Sequence, residues 1–174
     1  MTFDFKNLDA ETRKLMFDEI NDARTQGRLY YSKRFNEEGK EAWAGLAMQA
    51  SQTYNEGWLA YELEALRCFK NFEYKNTPSG GYTSAHVPDR AAETLADVEF
   101  NRYYMIALCR RAIANKKNVV VYRAKKRDDP RPESEALIGQ ELDPSQLIDQ
   151  LRALPVRDGH PLVQPNSGLS LHLP

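Results

Sequence analysis

Apolar positions recur with a helical period through the first two thirds of the chain, and polar breakers separate the runs. Leu15, Met16, Ile20 and Ala23 follow Asp9, a residue suited to an N-cap, and stop before Gly27, which predicts a first helix. An aromatic connector, Leu29-Tyr30-Tyr31-Ser32, leads to Asn36, a second N-cap, with Glu37 and Glu38 where a helix dipole favours acids. Trp43, Leu46, Ala47, Ala50 and Tyr54 form the stripe of this second helix, while Gly39 and Gly45 weaken it by up to about 1 kcal/mol each relative to alanine. Asn55 is expected to cap a third helix bearing Trp58, Leu59, Leu63 and Leu66, with a break before it rather than a kink at Gly57. Residues 70–87, interrupted by Thr77-Pro78-Ser79-Gly80-Gly81, read as a long loop.

The strongest signal runs from Pro88 to Lys116. Leu95, Val98, Arg102, Met105, Cys109 and Ile113 share one helical face, and Phe100, Tyr103, Tyr104, Ala107 and Leu108 occupy the others. A helix apolar around most of its circumference belongs at the centre of a bundle or in an interface. Val119-Val120-Val121-Tyr122 is the one clear strand. Its backbone must pair with the 70–87 loop, the C-terminal tail or another subunit. Glu133 to Ile138 suits one short helix ending at Gly139. Asp143-Pro144 opens a last amphipathic helix through Leu147, Ile148, Leu151 and Leu154, closed by Pro155. The expected fold is therefore mainly α. It has four to five helices around the central buried helix at 88–116, one short β element at about 119–123, and an extended C-terminal arm. The expected division is a single helical domain over 1–155 and the arm over 156–174.

Composition narrows the functional classes. The chain has 174 residues, 41% apolar and 28% charged, which suits one folded domain rather than intrinsic disorder. Cys68 and Cys109 make no disulfide framework and no CxxC zinc or redox motif. No apolar run is long enough to span a membrane. Residues 1–7 carry neither a basic region nor an apolar core of a signal peptide, so the expected setting is cytoplasmic, or a virion if the chain is phage-derived.

Catalytic patterns are sparse. His86, His160 and His172 have no metal-ligand spacing, and G-x-S-x-G, P-loop and G-x-G-x-x-G motifs are missing. A restriction-type nuclease would need a carboxylate two residues before Lys125, where Arg123 stands. The acids Asp128, Asp129, Glu133 and Glu135 suit a solvated loop better than a metal site, and Arg131 can neutralise them. No catalytic residue, metal ligand or cofactor is assigned.

Charge is segregated although the net charge is −1. Residues 101–131 hold ten basic and two acidic residues, leaving 14 basic and 23 acidic in the rest. Arg123, Lys125, Lys126, Arg127 and Arg131 are therefore candidate partner-binding residues, for nucleic-acid phosphates or for the acidic surface of a neighbour. A solvated surface is the alternative. In the tail, Leu169, Leu171 and Leu173 alternate with polar residues, and Leu162-Val163 adds a second apolar patch. Strand addition to a neighbouring subunit is the expected mode, against packing within the chain. Together these features suggest a non-enzymatic structural subunit of a larger, symmetric assembly, built of copies of the chain or of other proteins. A bacteriophage head–tail connector is one form of it. The alternative is a nucleic-acid-binding or nuclease-regulating protein using residues 102–131. An enzyme with its site in the 70–87 loop ranks third.

Overall fold

In a computed structural model, the structure describes residues 2–78, 80–153 and 160–174. The first three helices form where the caps place them. α1 (Ala10–Thr25), α2 (Glu37–Thr53) and α3 (Glu56–Ala65) each start behind a side chain, Asp9, Asn36 and Asn55, that accepts a hydrogen bond from the first turn. α4 (Ala91–Ala114) is the centre, with 18 of its 24 residues buried. It packs on α1, on α3, on α6 (Pro144–Arg152) and on a small sheet. The core runs through Met16, Trp43, Leu63, Tyr104, Leu108 and Leu151.

The mainly α expectation is overturned. The chain is an α/β mix, about 50% helical and 14% strand, with six helices and two small sheets among the described residues. The first correction concerns residues 70–87, which are not a loop. They form an antiparallel hairpin of β1 (Phe72–Asn76) and β2 (Tyr82–His86). Both strands are largely exposed, so the buried–exposed alternation that betrays most strands is missing from the sequence. The Thr77 to Gly81 breakers are its turn, closed by Thr77 N–H donating to the Gly81 carbonyl at 2.8 Å, with Gly80 at φ +82°.

The second correction concerns the lone strand and the arm. β3 (Val119–Arg123) is the middle strand of a three-stranded antiparallel sheet, β4-β3-β5, between β4 (Glu141–Leu142) and β5 (Leu169–His172). The tail is thus a strand of its own domain, registered Val121 to Leu171 and Arg123 to Leu169. The chain turns into it at Gly168, where φ is +66° and a Cβ would stand 2.3 Å from the Lys125 carbonyl oxygen. Asn101, buried on α4, donates to the Leu169 carbonyl at 2.8 Å and accepts from the Ser170 hydroxyl at 2.6 Å. Asn7 Oδ1 accepts from Leu173 N–H at 3.0 Å. These side chains occupy polar groups that a second chain would need for strand addition. The short helix expected near 133–138 is α5 (Pro132–Glu135). The expected helix end at Leu154 and Pro155, and the start of the arm at 156, lie outside the described residues.

Leu169 and Leu171 are fully buried, so the tail stabilises the monomer. Leu171→Ala is expected to lower the unfolding free energy by about 2–5 kcal/mol. Urea denaturation checks this, and the loss should be the same at every protein concentration, because these leucines pack in the core of their own chain.

Candidate functional site

The basic segment is divided: among the described residues Lys116, Lys117, Lys126 and Arg131 are exposed and meet no acid, and the other six cations meet acids. Acidic side chains brought in by the fold neutralise most of it. Arg102 and Glu99 form a buried pair at 2.6 Å, and the guanidinium also donates to the Leu151 carbonyl. Arg110 meets Glu19, and Arg111 meets Asp9 and Glu11. Arg123 pairs with Glu135 and donates to the Ser167 carbonyl. Arg127 reaches Asp97 at 3.6 Å, and Arg131 donates to Gln164. Among the five expected partner-binding cations, Lys126 is the exposed one without a side-chain partner given by the structure.

Lys125 is 4% exposed. Its ammonium lies 2.6 Å from Asp97 Oδ2 and 3.2 Å from Glu93 Oε1, both on α4. Arg90 and Lys125 hold the Glu93 carboxyl down to about 2, so its pairing supports the fold until pH falls through that value. Burial pushes the Asp97 carboxyl the other way, above its usual range, despite Lys125. The apolar candidates of the tail are equally internal. Leu162, Val163, Leu169 and Leu171 belong to the chain's own core, and Leu173 packs against it. The fold brings the tail residues together with Asn101 and the core, not with the basic residues in one docking face.

A different surface remains open. The β1–β2 register puts Phe72, Tyr74, Asn76, Tyr82, Ser84 and His86 on one face of the ribbon. Tyr74 is 83% exposed, Tyr82 78% and Phe72 53%. Phe72 and His86 face each other across the strands with ring centroids 4.4 Å apart. The opposite face is tied down, because Arg34 grips Glu73 through two hydrogen bonds of 2.6 and 3.0 Å. That pairing, together with Lys75, holds the Glu73 carboxyl below its usual range. Lys70 N–H bonds to the Arg34 carbonyl, which anchors the first root of the hairpin, and Val87 N–H bonds to the Asn71 carbonyl, which ties the second root to the first.

Below the Phe72–His86 pair lies a cleft of about 480 Å³ between the end of α3 and the start of α4. Leu63, Phe69, Val87 and Ala92 supply apolar walls. Arg67 and Lys70 on the lining are matched by Glu64 and Asp89, so the cleft carries little net charge. No family model, curated protein or solved structure matches this chain. The ribbon and its cleft are therefore read on their chemistry alone. Sequence reasoning missed Phe72, Tyr74 and Tyr82. The available signal was aromatic and β-branched residues on both sides of a Gly-Gly turn, which is a hairpin pattern even without burial.

Lys125→Met is expected to destabilise by about 3–5 kcal/mol, since it strands Asp97 beside Glu93 with its buried counter-ion removed. Lys126→Met, one residue on, should leave the melting temperature unchanged. Paired thermal denaturation of the two variants makes the check.

Proposed function

We propose that this protein is a non-enzymatic docking subunit of a larger complex, which holds a partner protein on the outer face of the β1–β2 hairpin. The observation that carries the reading is the exposure of Tyr74 and Tyr82 on one face of an anchored ribbon. Exposed apolar residues scattered singly need no explanation. Here three rings share a face and lead to a cleft with apolar walls. Tyrosine with serine, asparagine and glycine is also the composition of protein-recognising loops. The rings give rigid contact area at low entropic cost, and the small polar residues adapt their hydrogen bonds. A fitting partner segment lays an aliphatic or aromatic anchor in the cleft and its backbone along the tyrosines. Because the cleft charges cancel, rings and shape select this partner more than net charge does.

The nucleic-acid reading has less support. Phosphate recognition needs cations free to replace counter-ions, and the 102–131 segment spends most of its cations on internal acids. The tail, with its leucines in the chain's own core, does not support self-assembly either. The virion-connector form of the assembly role rests on the sequence argument alone.

Panning a random-peptide library against the full chain, with counter-selection on a Tyr74→Ser/Tyr82→Ser variant, tests the proposal. Enriched peptides should carry a large apolar anchor and bind the double variant at least about tenfold more weakly. The variant should melt like the wild type, since both rings are in solvent. Peptides that bind both proteins equally, or no enrichment at all, would refute the reading. Steeply salt-dependent binding of single-stranded oligonucleotides at the same tyrosines would replace it with the nucleic-acid one.

A further inference from the structure

The hairpin has a free edge as well as an exposed face. Thr77 N–H donates to the Gly81 carbonyl at one end of the ribbon, and Val87 N–H to the Asn71 carbonyl at the other. Bonded and non-bonded pairs alternate along an antiparallel ladder, so 73–85 and 75–83 are the bonded pairs between those ends. The pairs 72–86, 74–84 and 76–82 are the non-bonded ones, and their N–H and C=O groups point away from the ribbon. The close approach of the Phe72 and His86 rings agrees with that phase. On β2 the outward groups belong to Tyr82, Ser84 and His86. Among the described residues none of them has a backbone partner outside the hairpin.

The two edges of the ribbon differ. The outer edge of β1 is occupied at its root, where Phe35 bridges Phe69, Asn36 N–H donates to the Cys68 carbonyl and Lys70 N–H to the Arg34 carbonyl. β1 also carries the charges of Glu73 and Lys75. β2 has no lysine, acid, proline or bulge from Tyr82 to His86, the devices that keep an exposed edge from pairing. A two-fold axis sets each residue near its own equivalents, so an uncharged strand can face a copy of itself. With Ser84 on the axis, Tyr82 meets His86 of the second copy, Ser84 meets Ser84 and His86 meets Tyr82, which uses every outward group of β2. The rows across the resulting four-stranded sheet match on both faces. On the ring face, the Phe72–His86 pair runs on to Tyr82 of the second copy. On the opposite face, Glu73 and Ala85 run on to Thr83 and Lys75 of the second copy. Each such row has one acid and one base at its ends, with small side chains beside the axis. Two edges of this length, about 17 Å each, cover less than the ~1,200 Å² where standard interfaces begin, so the pairing is reversible and in the micromolar range.

We propose that two copies of this chain pair antiparallel along β2, centred on Ser84, and form a four-stranded sheet whose ring face carries the tyrosines of both. The contact closes on itself. Pairing β2 of one copy with β1 of the next would grow without limit, and the 34–36 segment at the β1 root stands against it. The assignment does not rest on the docking reading, since it uses the edge of the ribbon and a docked partner uses the face.

Sedimentation velocity of the full chain from about 1 µM to about 1 mM tests the assignment. A reversible monomer–dimer equilibrium without larger species is expected. Ser84→Lys and Ser84→Glu each set like charges face to face on the axis, and each should raise the dissociation constant about fivefold or more. Mixing the two variants should restore a dimer with one copy of each, which a folding defect in either could not do. Ser84→Pro removes an outward N–H and should leave monomers with the helical circular dichroism of the wild type. A monomer over the whole range, charge variants that associate like the wild type, or charge variants that mixing does not rescue would overturn the proposal. So would growth past the dimer, which would assign the edge to open-ended pairing. Self-association is read without any peptide, so this proposal and the docking proposal can fail separately.

Discussion

A helix buried around nearly its whole circumference has to be covered on every side, and α4 sets that requirement for the rest of the chain. Its 18 buried residues include Tyr103, Tyr104, Met105, Ile106 and Leu108, which occupy successive directions around the axis. One helical layer cannot enclose such a cylinder. α1 and α3 cover part of it, α6 another part, and the sheet carrying β3 and β5 the remainder. The C-terminal tail is drawn into the domain for this reason. Leu169 and Leu171 fill the side of α4 that the helices leave open, and Asn101 on α4 bonds directly to the β5 backbone.

Burial also explains what happened to the charges. Most of the basic residues clustered in 101–131 sit on or beside α4, where an unpaired cation is costly. The acids that answer them come from elsewhere in the chain: Asp9 and Glu19 cap and line α1, Glu135 sits on α5 between β3 and β4, and Glu93 and Asp97 lie in the first half of α4 against Lys125. Much of the charge segregation along the sequence is thus complementarity within one chain. The hairpin stands outside this internal accounting, since its tyrosines have no role in the core.

Legibility followed burial and locality. The helix starts at Asp9, Asn36, Asn55 and Asp143 were readable because capping is a contact over two or three residues. Helix ends were readable only in part. α1, α3 and α4 all close with a left-handed residue and a backbone bond reaching back five positions, at Gly27, Arg67 and Lys116. Glycine announces such an end, but arginine and lysine do not. The hairpin was invisible to periodicity because neither of its faces is core. Those exposed faces are also the reason it stands as the candidate site.

The sequence by itself determined the helix starts, the central place of α4, the strand at 119–123 and the want of disulfide or membrane-spanning segments. It also offered three partners for that strand, of which the tail is one, while the second actual partner, β4, was not among them. Only the tertiary structure decided among them, and it decided that Lys125 faces Asp97 rather than solvent and that the leucines of the tail face their own α4. The physical reason is that alternation in a strand states which residues share a face, while the identity of what covers that face depends on contacts across 50 to 70 residues of chain, such as Val121 with Leu171. Local sequence encodes the first quantity. The second is settled by the combined need to bury α4 and pair every buried polar group.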